Sequence, residues 1–332
     1  SLLPSLSKIF EKSALYQILA FLEKNNILAS EQFGFRKGMS TMTALSKFID
    51  KVSWALDGSQ SAVGVFCDLS KVFDCVNHDI LIKKLNAYKF FKNSISWIKS
   101  YLSNCYQRTV ICRKYVKSKS QWEQLKVGVP QGSIMGPLLF LLYINDLPAN
   151  ISNSLTLYAD DTTALVRSKN DNELKDKISE TITELKEWFE TNGLKLNQEK
   201  TKLVKFCTPQ SRNHNFNYLE FEHQRFSISG NAKFLGLELD LHLNWTKCIE
   251  TILRRLNSAC FQMLILRHTI DLKTCLIIYY AYFYSILQYG IEFWGFSKDI
   301  DKIFKIQKIF LRIMTFSPWK ASCKPIFDEH KI

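Results

Sequence analysis

The chain has 332 residues, of which 46% are hydrophobic and 23% charged, and its net charge is +13. This composition is typical of a folded protein and excludes disordered, collagen-like and coiled-coil classes. A chain this basic favours polyanionic partners such as nucleic acid or an anionic membrane face, although the charge alone is equally compatible with a merely soluble surface. The 12 glycines are few, and the absence of GxGxxG and P-loop patterns argues against a glycine-rich nucleotide-binding enzyme.

The nine cysteines form no CxxC pair. Their odd number and apolar neighbours indicate reduced structural thiols inside a cell rather than a zinc module or a disulfide scaffold. The most apolar long stretch, residues 276–289, is interrupted by tyrosines and a glutamine. It is shorter than the roughly 18 to 20 residues that a membrane span needs, so we expect a buried helix and no membrane partner. Because the chain begins at Ser1 inside an apolar pattern, we expect a piece of a longer protein.

Hydrophobic periodicity predicts the secondary structure in chain order. The first half contains helices over 6–25, from about 41 to 56, 79–88, 94–104 and 133–147, a strand over 61–68, and paired strands over 107–116 and 121–129. The second half contains a hairpin over 155–158 and 162–166, strands over 200–206 and 232–241, and helices over 172–191 and near 246–268, 272–290 and 299–315. The pattern predicts an α+β body followed by a helical C-terminal part.

Three carboxylates stand out against this background. Asp68 ends a predicted strand, and Asp160 and Asp161 occupy the turn of the predicted hairpin. Pairing of these strands in one sheet would bring the three side chains together, where they repel unless a cation lies among them. All-oxygen ligands suit Mg²⁺ rather than Zn²⁺, and a two-metal site of this kind supports in-line phosphoryl transfer. The alternative for an Asp-Asp pair in a turn is ordinary turn chemistry.

Six segments in a fixed order support the catalytic interpretation. They are Gln32-Phe-Gly-Phe-Arg-Lys-Gly-Met-Ser-Thr41, Phe66-Cys-Asp-Leu-Ser-Lys-Val-Phe-Asp-Cys-Val-Asn-His78, Gly128-Val-Pro-Gln-Gly-Ser-Ile-Met-Gly-Pro-Leu138, Tyr158-Ala-Asp-Asp161, Gly193-Leu-Lys-Leu-Asn-Gln-Glu-Lys-Thr-Lys202 and Phe234-Leu-Gly236. Together they resemble the reverse transcriptase of non-LTR retrotransposons of the jockey-like kind, over nearly the whole chain. One such segment would be weak support, whereas the full set in this order is highly specific.

The resemblance implies a right-hand polymerase fold of the α+β class, with fingers, a palm whose antiparallel sheet is backed by helices, and an all-helical thumb. It implies the following subdomains: fingers over 1–60, palm over 61–78, a fingers/palm insertion over 79–129, palm over 130–241, and a helical thumb with C-terminal extension over 242–332. Asp74 and His78 would support the loop and helix after the first aspartate, and Trp294 would belong to the thumb core.

The resemblance also implies roles for the site residues. Asp68, Asp160 and Asp161 would hold two Mg²⁺ ions, with Mn²⁺ as a substitute, and the backbone carbonyl of Leu69 would be a further ligand. Lys200 would protonate the departing pyrophosphate, although Lys202 is a rival for this role and both could be ordinary surface charges.

The incoming dNTP would be bound by residues from three segments. Phe73 matches the aromatic under the sugar that excludes a 2′-hydroxyl, and an ordinary core phenylalanine is the alternative. The other matching positions are Arg36 and Lys37 on the triphosphate, Gln131 and Gly132 beside nucleotide and template, and Phe234, Leu235 and Gly236 as the primer grip. Met39 departs from the pattern, because family members commonly carry Arg there.

The implied activity is RNA-directed DNA polymerisation, a nucleotidyltransferase reaction with an RNA template, a DNA primer or target DNA, and dNTPs. It would take place in the nucleus, with room for a cytoplasmic ribonucleoprotein stage. Three alternatives stay open: an intron-encoded maturase or other cellular relative, an inactive or co-opted relative that binds nucleic acid without polymerising, and a metal-dependent nuclease. The nuclease would not require the Pro-Gln-Gly, lysine and Phe-Leu-Gly segments in this order.

Overall fold

A computed structural model describes residues 4–69, 72–113, 116–130, 132–197, 199–208, 218–221 and 224–332. The chain divides into two compact units, Ser1–Lys205 with Ser211–Ile228, and Phe206–Gln210 with Ser229–Ile332. Among the described residues, no helix combines the length and apolar character that a membrane crossing requires.

The first unit is a mixed helix-and-sheet body. Its helices are α1 (Ser5–Lys24), α2 (Thr41–Asp57), α3 (Val72–Cys75), α4 (His78–Ala87), α5 (Lys92–Leu102), α6 (Met135–Ile144), a 3₁₀ turn (Leu147–Asn150) and α7 (Asp171–Thr191). Polar side chains cap several of them: Ser40 accepts a hydrogen bond from the Thr43 amide at the start of α2, and Asn77 accepts from the Asp79 amide at the start of α4. These caps satisfy amides that have no partner within the helix.

A four-stranded sheet lies at the centre of the first unit. Its strands are β1 (Ser61–Cys67), β6 (Ser154–Tyr158), β7 (Asp161–Ser168) and β8 (Lys202–Phe206), in the order β6-β7-β1-β8. β7 is antiparallel to both β6 and β1. Since β1 is buried along nearly its whole length, helices must cover both of its faces. On one face the ring of Phe66 lies 5.6 Å from that of Phe48 of α2.

Two short ribbons lie between α5 and α6. Their strands are β2 (Tyr106–Gln107), β3 (Val110–Arg113), β4 (Val116–Lys119) and β5 (Glu123–Gln124), with β2 paired to β5 and β3 paired to β4. The prediction of one long strand over 107–116 paired with another over 121–129 was therefore wrong, because the chain reverses earlier, between β3 and β4. Nearly all described residues here are exposed, so no buried face marks the register. A further pair, β9 (Tyr218–Phe221) and β10 (Gln224–Ser227), completes the unit.

Helix α6 is the most deeply buried helix of the first unit, and a long-range contact caps it. Nine of its ten residues are buried, as its apolar sequence predicts. Glu11 of α1 is 2% exposed, and its Oε2 accepts hydrogen bonds from the amides of Ile134 at 2.7 Å and Met135 at 3.3 Å. A carboxylate is favourable at this end of a helix because the first amides are unpaired and partly positive.

The second unit begins with a hairpin and is otherwise helical. Its elements are β11 (Asn231–Phe234), β12 (Leu237–Asp240), α8 (Thr246–Leu266), α9 (Leu272–Ile278), a π-helical segment (Tyr279–Tyr284), α10 (Ser285–Gln288), α11 (Ile291–Trp294), α12 (Ile300–Met314) and α13 (Lys324–His330). The aromatic core is built on Tyr279, Phe283 and Phe310, and the rings of Phe283 and Phe310 are 4.4 Å apart. Trp294 is fully buried.

Two predictions in this unit were wrong. The single strand predicted over 232–241 is a hairpin, because Leu235 and Gly236 both have positive φ and form a two-residue turn. The apolar stretch 276–289 is buried on one side only: Tyr279 and Phe283 are 0% exposed, whereas Ile277 is 60% exposed. Tyr280, Tyr282 and Tyr284 are also exposed, and an aromatic ring with a hydroxyl tolerates such contact with water.

Candidate active site

The strand register places the three aspartates at one end of the sheet. Cys67 pairs with Thr162, and Tyr158 pairs with Asp161 across the β6–β7 hairpin. Asp68 follows Cys67, so it lies next to Asp161, and opposite residues of an antiparallel pair point to the same face. Asp160 lies in the turn itself. The structure therefore brings together the three carboxylates that the sequence singled out.

The pKa of Asp161 reflects the closeness of the three carboxylates. Burial, and then the negative charges of Asp160 and Asp68, raise the pKa of the Asp161 carboxyl above its ordinary value. Desolvation and like charges both disfavour the ionised form. The side chain nevertheless remains exposed, so a cation from solvent can reach it.

The donor set fits a divalent cation in its chemistry. Three carboxylates provide hard oxygen ligands, and their mutual repulsion is relieved by positive charge. Among the described residues, no three His, Cys, Asp or Glu side chains are close enough to form a ready-made metal site. Asp68, Asp160 and Asp161 are the residues that would hold such an ion.

Lys200 supplies a positive charge beside the carboxylates. Its Nζ lies 3.5 Å from Oδ2 of Asp68, and both side chains are exposed to water. The Asn197 amide donates to the Asp68 carbonyl at 2.8 Å, and Leu69 forms an isolated antiparallel bridge with Leu196. The segment that carries Lys200 is therefore tied by its backbone to the segment that carries Asp68. Lys202, the rival candidate, is the first residue of β8 and is also exposed.

The turn that carries Asp160 is held by a side chain from the chain's N-terminal part. Gln32 Oε1 accepts hydrogen bonds from the amides of Gly34 at 2.7 Å and Ala159 at 3.1 Å. Gln32 is 1% exposed. Ala159 has a φ of 55°, which is unusual for a residue that carries a Cβ.

The two basic residues predicted to hold the triphosphate differ in their surroundings. Arg36 is half-buried, and its Nη1 donates to the carbonyls of Ala29 at 2.7 Å and Gln32 at 3.1 Å. Arg36 therefore orders its own loop, whatever else it binds. Lys37 is exposed, as is Met39.

Of the predicted nucleotide-binding residues, Phe73 lies in the short helix α3 and Gly132 lies before α6. Phe73 is half-buried, and its ring centroid is 4.8 Å from that of Phe140. Gly132 has a φ of 82°, a conformation that glycine adopts without strain. Gln131 lies outside the described residues. His78 hydrogen-bonds through Nε2 to the Gly128 carbonyl at 2.7 Å.

The predicted primer grip is the turn of the β11–β12 hairpin in the second unit. Phe234 pairs with Leu237, Leu235 has a φ of 45° and Gly236 a φ of 89°. The Tyr289 hydroxyl donates to the Leu235 carbonyl. A Cβ added to Gly236 would lie 3.2 Å from the Tyr289 ring. Within this unit, Tyr289 therefore supports the turn directly.

Sequence reasoning missed the roles of Glu11 and Gln32. Glu11, Ile18 and Leu22 are the buried residues of α1, and a carboxylate on the buried face of a helix signals a specific partner. Gln32 begins the first of the six segments, in which the resemblance assigns binding roles only to Arg36 and Lys37. Neither partner could be named from the sequence, because the contacts join residues 123 and 127 positions apart.

The three carboxylates lie at one end of an antiparallel sheet, and the six segments that the sequence analysis singled out occur around them in the expected order. Residues 1–239 match the family described as "Reverse transcriptase (RNA-dependent DNA polymerase)". The chain belongs to the reverse transcriptase family, so the predicted family is confirmed.

Several curated relatives that the chain matches are named as polymerases of transposable elements. The chain is 30% identical to a probable RNA-directed DNA polymerase from transposon X-element of Drosophila melanogaster, over 96% of this chain and 35% of the relative. It is 28% identical to the RNA-directed DNA polymerase from mobile element jockey of the same species, over 100% of this chain and 37% of the relative. The chain thus spans about a third of the length of these relatives. A telomerase structure from Candida tropicalis aligns with 98% of this chain and 56% of its own, at 12% identity and a TM-score of 0.46.

Proposed function

We propose that this chain is the polymerising part of a non-LTR retrotransposon protein and extends a DNA primer on an RNA template. The observation that carries the proposal is the meeting of Asp68, Asp160 and Asp161 at one end of the sheet, in a chain of this family. The net charge of +13 is suited to a nucleic-acid backbone. Its place of action would be the nucleus.

The proposed arrangement is that of a right hand. The first 60 residues would belong to the fingers, the sheet with its carboxylates to the palm, and the helices from α8 onward to the thumb. The palm would then consist of 61–78 and 130–241, with 79–129 as an insertion. The order of the six segments along the chain supports this division, because the resemblance assigns each segment to one subdomain.

The carboxylates would hold the divalent ions, Mg²⁺ with Mn²⁺ as a substitute, and the Leu69 carbonyl would be a further ligand. When bound, such ions activate the primer hydroxyl and neutralise the departing phosphate charge. Asp161 is suited to this role because burial and the charges of Asp160 and Asp68 raise its pKa, and a bound cation would offset that repulsion. Lys200 would hold a proton near the leaving pyrophosphate, for which its place beside Asp68 is suitable.

Other residues would bind and orient the nucleotide. Phe73 packs against Phe140, so its ring has a firm backing and could contact the sugar and exclude a 2′-hydroxyl. Gly132 and Gln131 would line the nucleotide, Arg36 and Lys37 would bind its phosphates, and the Phe234–Gly236 turn would hold the primer. An Arg36 that also orders its loop binds phosphate with less loss of side-chain freedom.

The test is primer extension by the purified chain on an RNA template with Mg²⁺. We expect DNA synthesis that Asp160→Ala abolishes while template binding persists. Asp176→Ala is the matched control, since Asp176 is an exposed aspartate on α7. Template binding without extension by the unaltered chain would contradict the proposal and favour the non-catalytic, co-opted alternative.

A further inference from the structure

We propose that Gln32 is a positioning residue for the catalytic turn: its side-chain carbonyl holds the backbone at Ala159 and so fixes where Asp160 and Asp161 stand. This inference rests on the proposed function of those two aspartates. It concerns a residue that would touch neither substrate nor metal, and that acts through the turn alone.

The hydrogen bonds define the orientation of the Gln32 amide. Its oxygen accepts from two backbone amides, those of Gly34 at 2.7 Å and Ala159 at 3.1 Å. A flipped amide would place its NH₂ group against two N–H donors, which is repulsive. The oxygen is therefore the atom that bridges residues 34 and 159.

The backbone on either side of Gln32 keeps this oxygen in place. Gln32 forms a parallel bridge with Leu157 of β6. The Phe33 amide donates to the Leu157 carbonyl at 2.8 Å, and the Leu157 amide donates to the Glu31 carbonyl at 2.8 Å. Residues 31–33 thus act as a short extra strand at the edge of the sheet, and Gln32 reaches from it to the hairpin tip.

The turn has a conformation that needs support. Ala159 has a φ of 55°, and a residue with a Cβ stays in this region only when its surroundings hold it there. A Cβ on Gly34 would lie 2.3 Å from the Ala159 nitrogen, so only glycine allows the two backbones to approach this closely. The Gln32 oxygen and Gly34 therefore form one contact surface for the residue that immediately precedes Asp160.

The energetics also favour a positioning role over simple core packing. Gln32 is 1% exposed, and its Nε2 has no hydrogen-bond partner among the residues that the structure describes. A buried unpaired donor is unfavourable, so an apolar side chain of the same shape would suit packing better. The presence of an amide side chain at position 32 is explained by the two hydrogen bonds that its oxygen accepts.

The decisive variant is Gln32→Met, which keeps the length of the side chain and removes the acceptor. Two measurements apply that do not require polymerisation: hydrogen exchange of the Ala159 amide, and Mn²⁺ affinity by calorimetry. We expect exchange at Ala159 to become faster by about tenfold or more, because the amide loses its acceptor. We expect Mn²⁺ affinity to fall by about fivefold or more, because the carboxylates lose their fixed spacing.

Asn145→Leu is the matched control. Asn145 also accepts a backbone hydrogen bond with its side-chain oxygen, from Ala29 at 2.8 Å, and its Nδ2 donates to the Ile27 carbonyl at 2.8 Å. It therefore secures the same N-terminal segment without touching the hairpin. We expect this variant to lower stability and to leave both readouts at their wild-type values.

The possible results separate the two proposals. Unchanged exchange and unchanged Mn²⁺ affinity in Gln32→Met overturn the role of Gln32, while primer extension by the unaltered chain still supports the proposed function. An unaltered chain that binds Mn²⁺ but never extends a primer overturns the proposed function and leaves the hydrogen-exchange result valid.

If Gln32→Met does not fold, two conservative variants decide the matter. Gln32→Glu keeps an oxygen at the same distance and is expected to keep slow exchange at Ala159. Gln32→Asn withdraws the oxygen by one methylene and is expected to exchange at least about tenfold faster. Equal exchange rates in these two variants overturn the inference.

Discussion

Cys67 lies directly opposite Thr162 in the antiparallel pair of β1 and β7. This single register position places Asp68 beside Asp161, although the two residues are far apart in the chain. A shift of one residue would send the Asp68 side chain to the other face of the sheet. The packing of the buried residues of β1 and β7 disfavours that shift, because it would exchange the side chains that the two faces of each strand present to the core.

Because Asp161 lies close to Asp160 and Asp68, we expect Asp161→Asn to raise the free energy of unfolding. The pKa of Asp161 is raised by burial and by Asp160 and Asp68, so folding favours its protonated form. The contribution of Asp161 to stability is therefore greatest below its ordinary pKa of 3.8 and is lost as the pH rises through the raised value. In EDTA at pH 7 we expect the variant to be more stable by a few tenths of a kcal/mol, since the side chain is exposed.

Urea denaturation at several pH values checks this prediction. The difference should vanish near pH 3 and reverse when Mn²⁺ is added, because the cation stabilises wild type more than the variant. Asp176→Asn, on the exposed side of α7, is the control. A variant less stable than wild type at pH 7 in EDTA would contradict the account of the site.

Lys200→Ala should slow DNA synthesis without loss of stability. Lys200 Nζ is 3.5 Å from Asp68, but the lysine side chain is 70% exposed, and exposed ion pairs contribute about 0 to 1 kcal/mol. We expect extension to slow by about 10²-fold, which is typical for loss of a general acid. Single-turnover extension and thermal denaturation measure the two effects. Lys202→Ala is the matched control, and a larger rate loss there would assign the role to Lys202.

Glu11→Ala should destabilise the first unit. The variant leaves the amides of Ile134 and Met135 without their acceptor in a buried place, at a cost of about 1 to 3 kcal/mol. Glu11→Gln keeps an oxygen and should lose less. Urea denaturation gives the values, and Glu23→Ala, an exposed glutamate of the same helix, should stay within about 0.5 kcal/mol of wild type.

Tyr289→Phe should weaken the Phe234–Gly236 turn. The hydroxyl donates to the carbonyl of Leu235, which has a φ of 45°, and its loss should cost about 0.5 to 1.5 kcal/mol. Gly236→Ala should cost more, because its φ is 89° and the new Cβ would press on the Tyr289 ring. Fluorescence-detected denaturation measures both. Tyr282→Phe is the control. If it lowers stability as much as Tyr289→Phe does, the hydrogen bond to the turn is not the cause of the lower stability.

Helices with one apolar face could be predicted closely from the sequence. The pattern over 6–25 corresponds to Ser5–Lys24, and that over 172–191 to Asp171–Thr191. Prediction failed where no buried face sets the register, as in the β3–β4 ribbon, and where a turn uses an unexpected residue. Leu235 with positive φ is the example, since leucine carries no local signal for a left-handed conformation.

The sequence by itself determined the family, the order of the elements, and the three acidic side chains around which the site is built. The tertiary structure alone decided how that site is supported. Gln32 accepts a hydrogen bond from Ala159 and Glu11 accepts one from Ile134, and these partners lie 127 and 123 positions apart in the sequence. Local periodicity cannot predict such contacts, because a hydrogen bond near 3 Å depends on the packing of every element between the two residues.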